Sequence, residues 1–190
     1  MKKLYFDCEF TGLVKDTSLI SIGFISECGK TFYAEFTDYD KSKIDEWLEE
    51  NVIKRLKFND LPDSGIIIDS DPSNFEIKAN KNSIAEHLKI WISQFGKIEI
   101  WSDCLSYDWV LFCDLFGGAM SVPEDIYYIP FDICTSFKEF GIDPDINREE
   151  FAYCKQDHKN KHNSLHDAIV IKDCDIKLNK IRTQRNINDG

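Results

Sequence analysis

The segment Leu4-Tyr5-Phe6-Asp7-Cys8-Glu9 sets two carboxylates at i and i+2 directly after an apolar run. On a β-strand, alternate side chains share a face, so both acids would point the same way. Two acids side by side repel, and at the end of a buried strand such a pair usually needs a cation to offset it. The pattern constrains the chain twice: residues 2–8 are expected as a core strand, and its end is expected to hold a divalent metal. Asp-x-Glu alone is common and is equally compatible with a solvated strand end, so the rest of the chain has to decide.

Residues 18–26 and 31–37 read as two more strands, joined through Glu27-Cys28-Gly29-Lys30 into an antiparallel hairpin. Ile44, Trp47, Leu48, Asn51, Val52 and Leu56 follow a helical period, with Asp40 or Ser42 as its N-cap. Residues 59–74 carry Pro62, Gly65, Pro72 and several aspartates and read as a long connection with a short extended piece at 65–69. A second helix is expected from Asn82 or Ser83 to Gly96, then a strand at 98–102, a helix at 107–116, a short strand at 130–134 and a long helix at 164–182. A three-strand meander followed by helix and strand in alternation predicts an α/β fold with a mixed central sheet flanked by helices.

At 190 residues the chain suits one domain spanning 1–190, which would bury roughly 70% of its unfolded surface. A formal charge of −11 argues against a general nucleic-acid coat, because nonspecific affinity rests largely on Lys and Arg contacts with phosphates. Local basic segments remain, notably Lys155 to His162 and the tail with Lys172, Lys177, Lys180, Arg182 and Arg185. The first is either a solvated loop or a substrate contact, and the second either a solvated helix end or a subunit contact. Seven cysteines with no Cys-x-x-Cys pair indicate neither a zinc site nor a disulfide framework. The absence of a signal peptide or of 18 consecutive apolar residues predicts a soluble, cytoplasmic protein with no membrane partner.

Two further motifs join the first. Trp101-Ser102-Asp103-Cys104-Leu105-Ser106-Tyr107-Asp108 reads as a strand, a short loop and an aspartate opening a helix. His162-Asn163-Ser164-Leu165-His166-Asp167 places a histidine five residues before an aspartate at the start of an apolar-periodic helix. In order and spacing, the three segments resemble the three exonuclease motifs of the DnaQ-like DEDD superfamily of 3′-5′ exonucleases, in its histidine-bearing (DEDDh) branch. They are most similar to the small stand-alone polyadenylate-specific exoribonuclease-like proteins of bacteria and phages. Asn163 stands where the tyrosine-bearing branch would have its tyrosine, and Asp103 departs from the neutral residue of many relatives.

The resemblance implies a ribonuclease H-like fold with the first strand central, and Asp7, Glu9, Asp108 and Asp167 as ligands of two ions, Mg²⁺ or Mn²⁺, with Asp7 bridging. It implies His162 as general base, with His158 and His166 as rivals, and Thr11, Gly12 and Leu13 beside the terminal nucleotide. Phe10 either joins them or belongs to the core. The expected substrate is the 3′ end of single-stranded nucleic acid, RNA ahead of DNA, cut to nucleoside monophosphates. A DNA exonuclease of replication or repair and a catalytically silent binding module on the same fold are the alternatives. A homodimer is the expected assembly.

Overall fold

The computed structural model describes residues 1–63, 67–71, 73–152 and 161–188. Its centre is a seven-stranded sheet of order β4-β5-β3-β2-β1-β6-β7. The strands are β1 (Lys2–Phe10), β2 (Leu19–Ser26), β3 (Thr31–Phe36), β4 (Ile67–Ser70), β5 (Asn74–Ala79), β6 (Ile98–Ser102) and β7 (Phe131–Asp132). β1 lies inside the sheet, antiparallel to β2 and parallel to β6, so its acids sit among neighbours on both sides. The helices are α1 (Glu46–Asn51), α2 (Lys81–Ser93), α3 (Ser106–Leu115), α4 (Ile133–Glu139), α5 (Arg148–Ala152) and α6 (Ser164–Asn188).

Period-two alternation along β1 sorts its residues between two layers. Leu4, Phe6 and Cys8 enter one core with Phe24, Phe32, Trp91 of α2 and Phe112 of α3. Tyr5 enters the other with Ile133 and Phe137 of α4, Phe151 of α5, and Ala168 and Ile171 of α6. Burying one such Phe removes enough apolar surface to contribute about 1.5–3 kcal/mol. Asp7 and Glu9 share the parity of Tyr5 and therefore lie on the α6 side.

Several elements differ from expectation. The helix near 44–56 is broken: Asp40 caps a single 3-10 turn at Lys41–Lys43, while α1 itself is capped by Asp45, whose Oδ1 accepts from the Leu48 amide at 2.8 Å. Helix α2 starts at Lys81, just ahead of the expected Asn82 or Ser83, with Asn80 as its cap. Within the connection at 59–74 the expected short extended piece is β4 at 67–70, and β5 follows as a strand that was not expected. Lys78 is buried in β5, its Nζ donating to the carbonyls of Phe58 and Leu61 at 3.0 and 2.7 Å. The strand at 130–134 shrinks to β7, because Asp132 accepts from the Cys134 amide and starts α4 there. Helix α5 was not expected, and α6 runs six residues past 182. The basic tail packs on its own chain: Lys177 lies over Phe151, and Arg182 and Arg185 over Phe140. Residues 153–160, which hold His158 and most of the first basic segment, lie outside the described residues. Among the described residues, no helix is long and apolar enough to cross a membrane.

Candidate active site

Helix α6 begins against the middle of the sheet, and a glycine permits it. Gly23 of β2 pairs with Asp7 of β1, and a Cβ there would stand 2.3 Å from the Leu165 amide nitrogen. Beside it, Ser21, the register partner of Glu9, meets the Ser164 hydroxyl at 3.0 Å in the interior. Asn163 caps α6 by accepting from the His166 amide at 3.1 Å, and its side chain also bonds the buried Tyr33 hydroxyl of β3. These contacts bring Asp167, one turn into α6, over the end of β1.

Carboxylate oxygens of Asp7, Glu9 and Asp167 consequently lie within 4.8 Å of one another. Asp108, in the first turn of α3, stands beside this trio, its Oδ2 accepting from the Ser102 hydroxyl at 2.7 Å. Burial and mutual repulsion raise the acids above the ordinary carboxylate range. Glu9 is pushed up to about 8, first by burial and then by Asp167 and Asp108. Burial pushes Asp108 up to about 7 and Asp167 up to about 6, and it raises Asp7 well above the ordinary range. Four converging oxygen ligands whose charges lack compensation fit a divalent cation.

His162 precedes this cluster in a left-handed backbone conformation (φ 64°), with its amide donating to Asp167 Oδ2 at 3.0 Å. Burial, then Lys161 and Arg55, lower its pKa, so the ring is neutral and able to accept a proton at neutral pH. Arg55, in the 3-10 turn after α1, donates to the Lys161 carbonyl and so ties down the loop that carries His162. His166 turns away instead, its Nε2 3.3 Å from Glu149 of α5.

A cleft of ≈ 780 Å³ runs past these groups, lined by Asp7, Glu9, Asp108, Asp167 and His162 and by Thr11, Gly12 and Leu13. Leu13 is 74% exposed and projects at its rim. Thr11 is engaged in its own turn, its hydroxyl accepting from the Ser18 amide at 3.0 Å and its amide donating to the Ser18 carbonyl at 3.0 Å. Phe10 serves both readings, packing on the core and stacking on Tyr107 along the cleft. The same cleft is lined by Trp47, a member of the helical stripe at 44–56. It is 54% exposed and meets the His162 ring edge-on at 5.2 Å. Asp103 is answered by Arg148, whose Nε and Nη2 donate to its two oxygens at 2.6 and 2.8 Å. A second cleft of ≈ 760 Å³, at the opposite end of β1, holds one buried acid, Asp175, already bonded to Tyr5 and Lys3.

A mixed sheet with helices on both faces and an acidic cluster at the end of its inner first strand defines a ribonuclease H-like nuclease of the DEDD type. The profile of the Rv2179c-like 3′-5′ exoribonuclease domain matches residues 2–174, and the chain belongs to that family. The 3′-5′ exoribonuclease Rv2179c of Mycobacterium tuberculosis strain H37Rv is 25% identical over 126 residues, covering 65% of this chain and 67% of that protein. The 3′-5′ exoribonuclease MT2234.1 of strain CDC 1551 matches with the same figures. In structure the chain is similar to the Pan2 catalytic unit (protease and nuclease domain) of Neurospora crassa, with a TM-score of 0.57 at 14% identity. That match covers 99% of this chain but only 28% of the Pan2 chain.

Proposed function

We propose that this protein is a 3′-5′ exoribonuclease that removes nucleoside monophosphates from single-stranded RNA. In this reading Asp7, Glu9, Asp108 and Asp167 hold two divalent ions, Mg²⁺ or Mn²⁺, and His162 is the general base. The observation that carries it is the convergence of three carboxylates within 4.8 Å, in one cleft with Asp108 and His162. Hard oxygen ligands without cysteine favour Mg²⁺ or Mn²⁺ over zinc. When bound, the ions supply charge stabilisation to the attacking and departing oxygens of a phosphodiester.

The chain's own groups do the rest. His162, neutral because of burial, takes the proton of the attacking water. Arg55 and the Asp167 carboxylate hold the carbonyl and the amide of the one peptide unit that leads into that ring. Leu13 and Trp47 present apolar surface at the cleft, to which a terminal base of any identity can pack. Ser102 orients Asp108. We further expect a homodimer in a reducing, cytoplasmic setting, in keeping with six free thiols among the described residues.

Digestion of matched RNA and DNA oligomers labelled at the 5′ end, with and without Mg²⁺ or Mn²⁺, tests the reading. The expected result is a metal-dependent ladder shortening from the 3′ end, faster on RNA. Equal or faster digestion of DNA moves the substrate to the DNA alternative, and no digestion of either leaves only the silent binding module.

A further inference from the structure

Cys104 and Cys134 are 30 positions apart in sequence yet adjacent in space. The parallel register pairs Ser102 of β6 with Asp132 of β7, and each cysteine lies two residues beyond that pair. The two sulfurs and an Asp103 oxygen accordingly fall within 4.8 Å of one another. Cys104 is exposed, on a left-handed residue (φ 52°) in the loop leading to α3, and it lines the cleft that holds the acids. Cys134 is half-buried at the start of α4, bonded to Asp103 Oδ1 at 2.9 Å and within 3.0 Å of Arg148 Nη2.

Such a Cys, Cys, Asp trio suggests a soft metal, but Arg148 contradicts it. Its guanidinium already neutralises Asp103 through two donors and reaches the Cys134 sulfur as well, so positive charge stands where a metal would go. What remains is a pair of neighbouring thiols, one facing solvent and one half-buried between Asp103 and Arg148.

We propose that Cys104 and Cys134 form a reversible disulfide, a covalent modification site at the rim of the cleft. The oxidant is a low-molecular-weight disulfide. Cys104 sulfur attacks one sulfur of the reagent, breaking its S–S bond and releasing one thiol that carries away the Cys104 proton. Cys134 sulfur then attacks Cys104 in the resulting mixed disulfide, releasing the second thiol with the Cys134 proton. Two protein thiols are oxidised, and the reagent disulfide is reduced to two thiols. Closing the bond needs Cα atoms about 4.4–6.8 Å apart, and the two sulfurs already lie within 4.8 Å of one another. Burial and the Asp103 carboxylate keep both thiols protonated, so the exchange is run at mildly alkaline pH. The product links the loop before α3 to the start of α4, and thereby restrains the turn from which Asp108 projects.

The test treats the full chain with oxidised glutathione, caps residual thiols with iodoacetamide, and maps the unreduced digest by mass spectrometry. The expected product is one linked peptide pair, 104 with 134, lighter by two hydrogens and separated again by dithiothreitol. Its thermal midpoint should rise relative to the reduced protein, because the bond restricts the unfolded chain. Cys134→Ser, which keeps a donor toward Asp103, should stop the reaction at the glutathione adduct of Cys104. The proposal is overturned if wild-type Cys104 accumulates as that adduct, if it pairs with exposed Cys28 instead, or if the purified protein carries one zinc per chain that blocks both thiols.

Discussion

Gly23→Ala is the substitution through which the fold most directly controls the chemistry. The added methyl would lie 2.3 Å from the Leu165 nitrogen, 2.4 Å from its Cα and 2.5 Å from the Ser164 carbonyl carbon. All three are backbone atoms, so no rotamer change relieves the clash, and the start of α6 must withdraw by about 1 Å to reach ordinary contact. Overpacking of this kind costs about 1–3 kcal/mol of stability, which a domain of this size should survive. Activity should suffer more. Residues 162–167 move with the helix start while Asp7 and Glu9 stay on the sheet, and a misplacement of about 1 Å can lower rate by roughly 10²-fold. The assay compares turnover on 5′-labelled RNA with Mn²⁺ affinity by calorimetry and with thermal unfolding. A folded variant with lost turnover and weakened Mn²⁺ binding is expected, whereas a folded variant with wild-type turnover would refute the claim that the Gly23 contact sets the position of Asp167.

Other expectations follow from the same geometry. His162→Ala should lower turnover by about 10²–10⁴, the usual contribution of a general base, while His166→Ala, which loses the Glu149 contact and does not line the cleft, should cost far less; steady-state kinetics of both variants decide the assignment. In the metal-free protein Glu9 titrates at about 8 against an ordinary 4.5, so between those values the folded chain keeps a proton that the unfolded chain has released. Stability in EDTA should therefore fall as pH rises through that window and recover when Mg²⁺ or Mn²⁺ is added; a thermal midpoint that rises with pH in EDTA contradicts it. Asp7→Asn should abolish digestion yet raise the midpoint of the metal-free protein at neutral pH, since it removes one of the repelling acids. A 3′-terminal phosphate should slow release strongly and a circular RNA should resist cleavage; rapid internal cutting of the circle rules out an exonuclease.

The legible parts of this molecule are those whose physics is local. The shared face of Asp7 and Glu9 follows from a period of two, and the placement of Asp167 after His162 follows from a helix start, so both could be read from neighbouring residues. Features decided by partners far along the chain could not. Lys78 looks like a surface residue that argues against a strand until the carbonyls of Phe58 and Leu61 meet its ammonium. Asp103 looks like a stray acid beside the site until Arg148, 45 positions later, neutralises it. Trp47 fits the apolar stripe of its helix, yet Leu48 and Val52 fill the core below and leave the indole facing the cleft. Helix α4 did carry a local signal that competed with a stronger one. Asp132 is a cap and Ile133, Phe137 and Phe140 form a helical stripe, but the apolar run before them reads equally as a strand end, and β7 is that strand cut short by the cap. Once β7 ends at Asp132 and β6 at Ser102, the next residues of both chain segments must leave the sheet side by side. That exit juxtaposes Asp103, Cys104 and Cys134, so the same termination that shortens the edge strand builds the thiol pair at the cleft's rim.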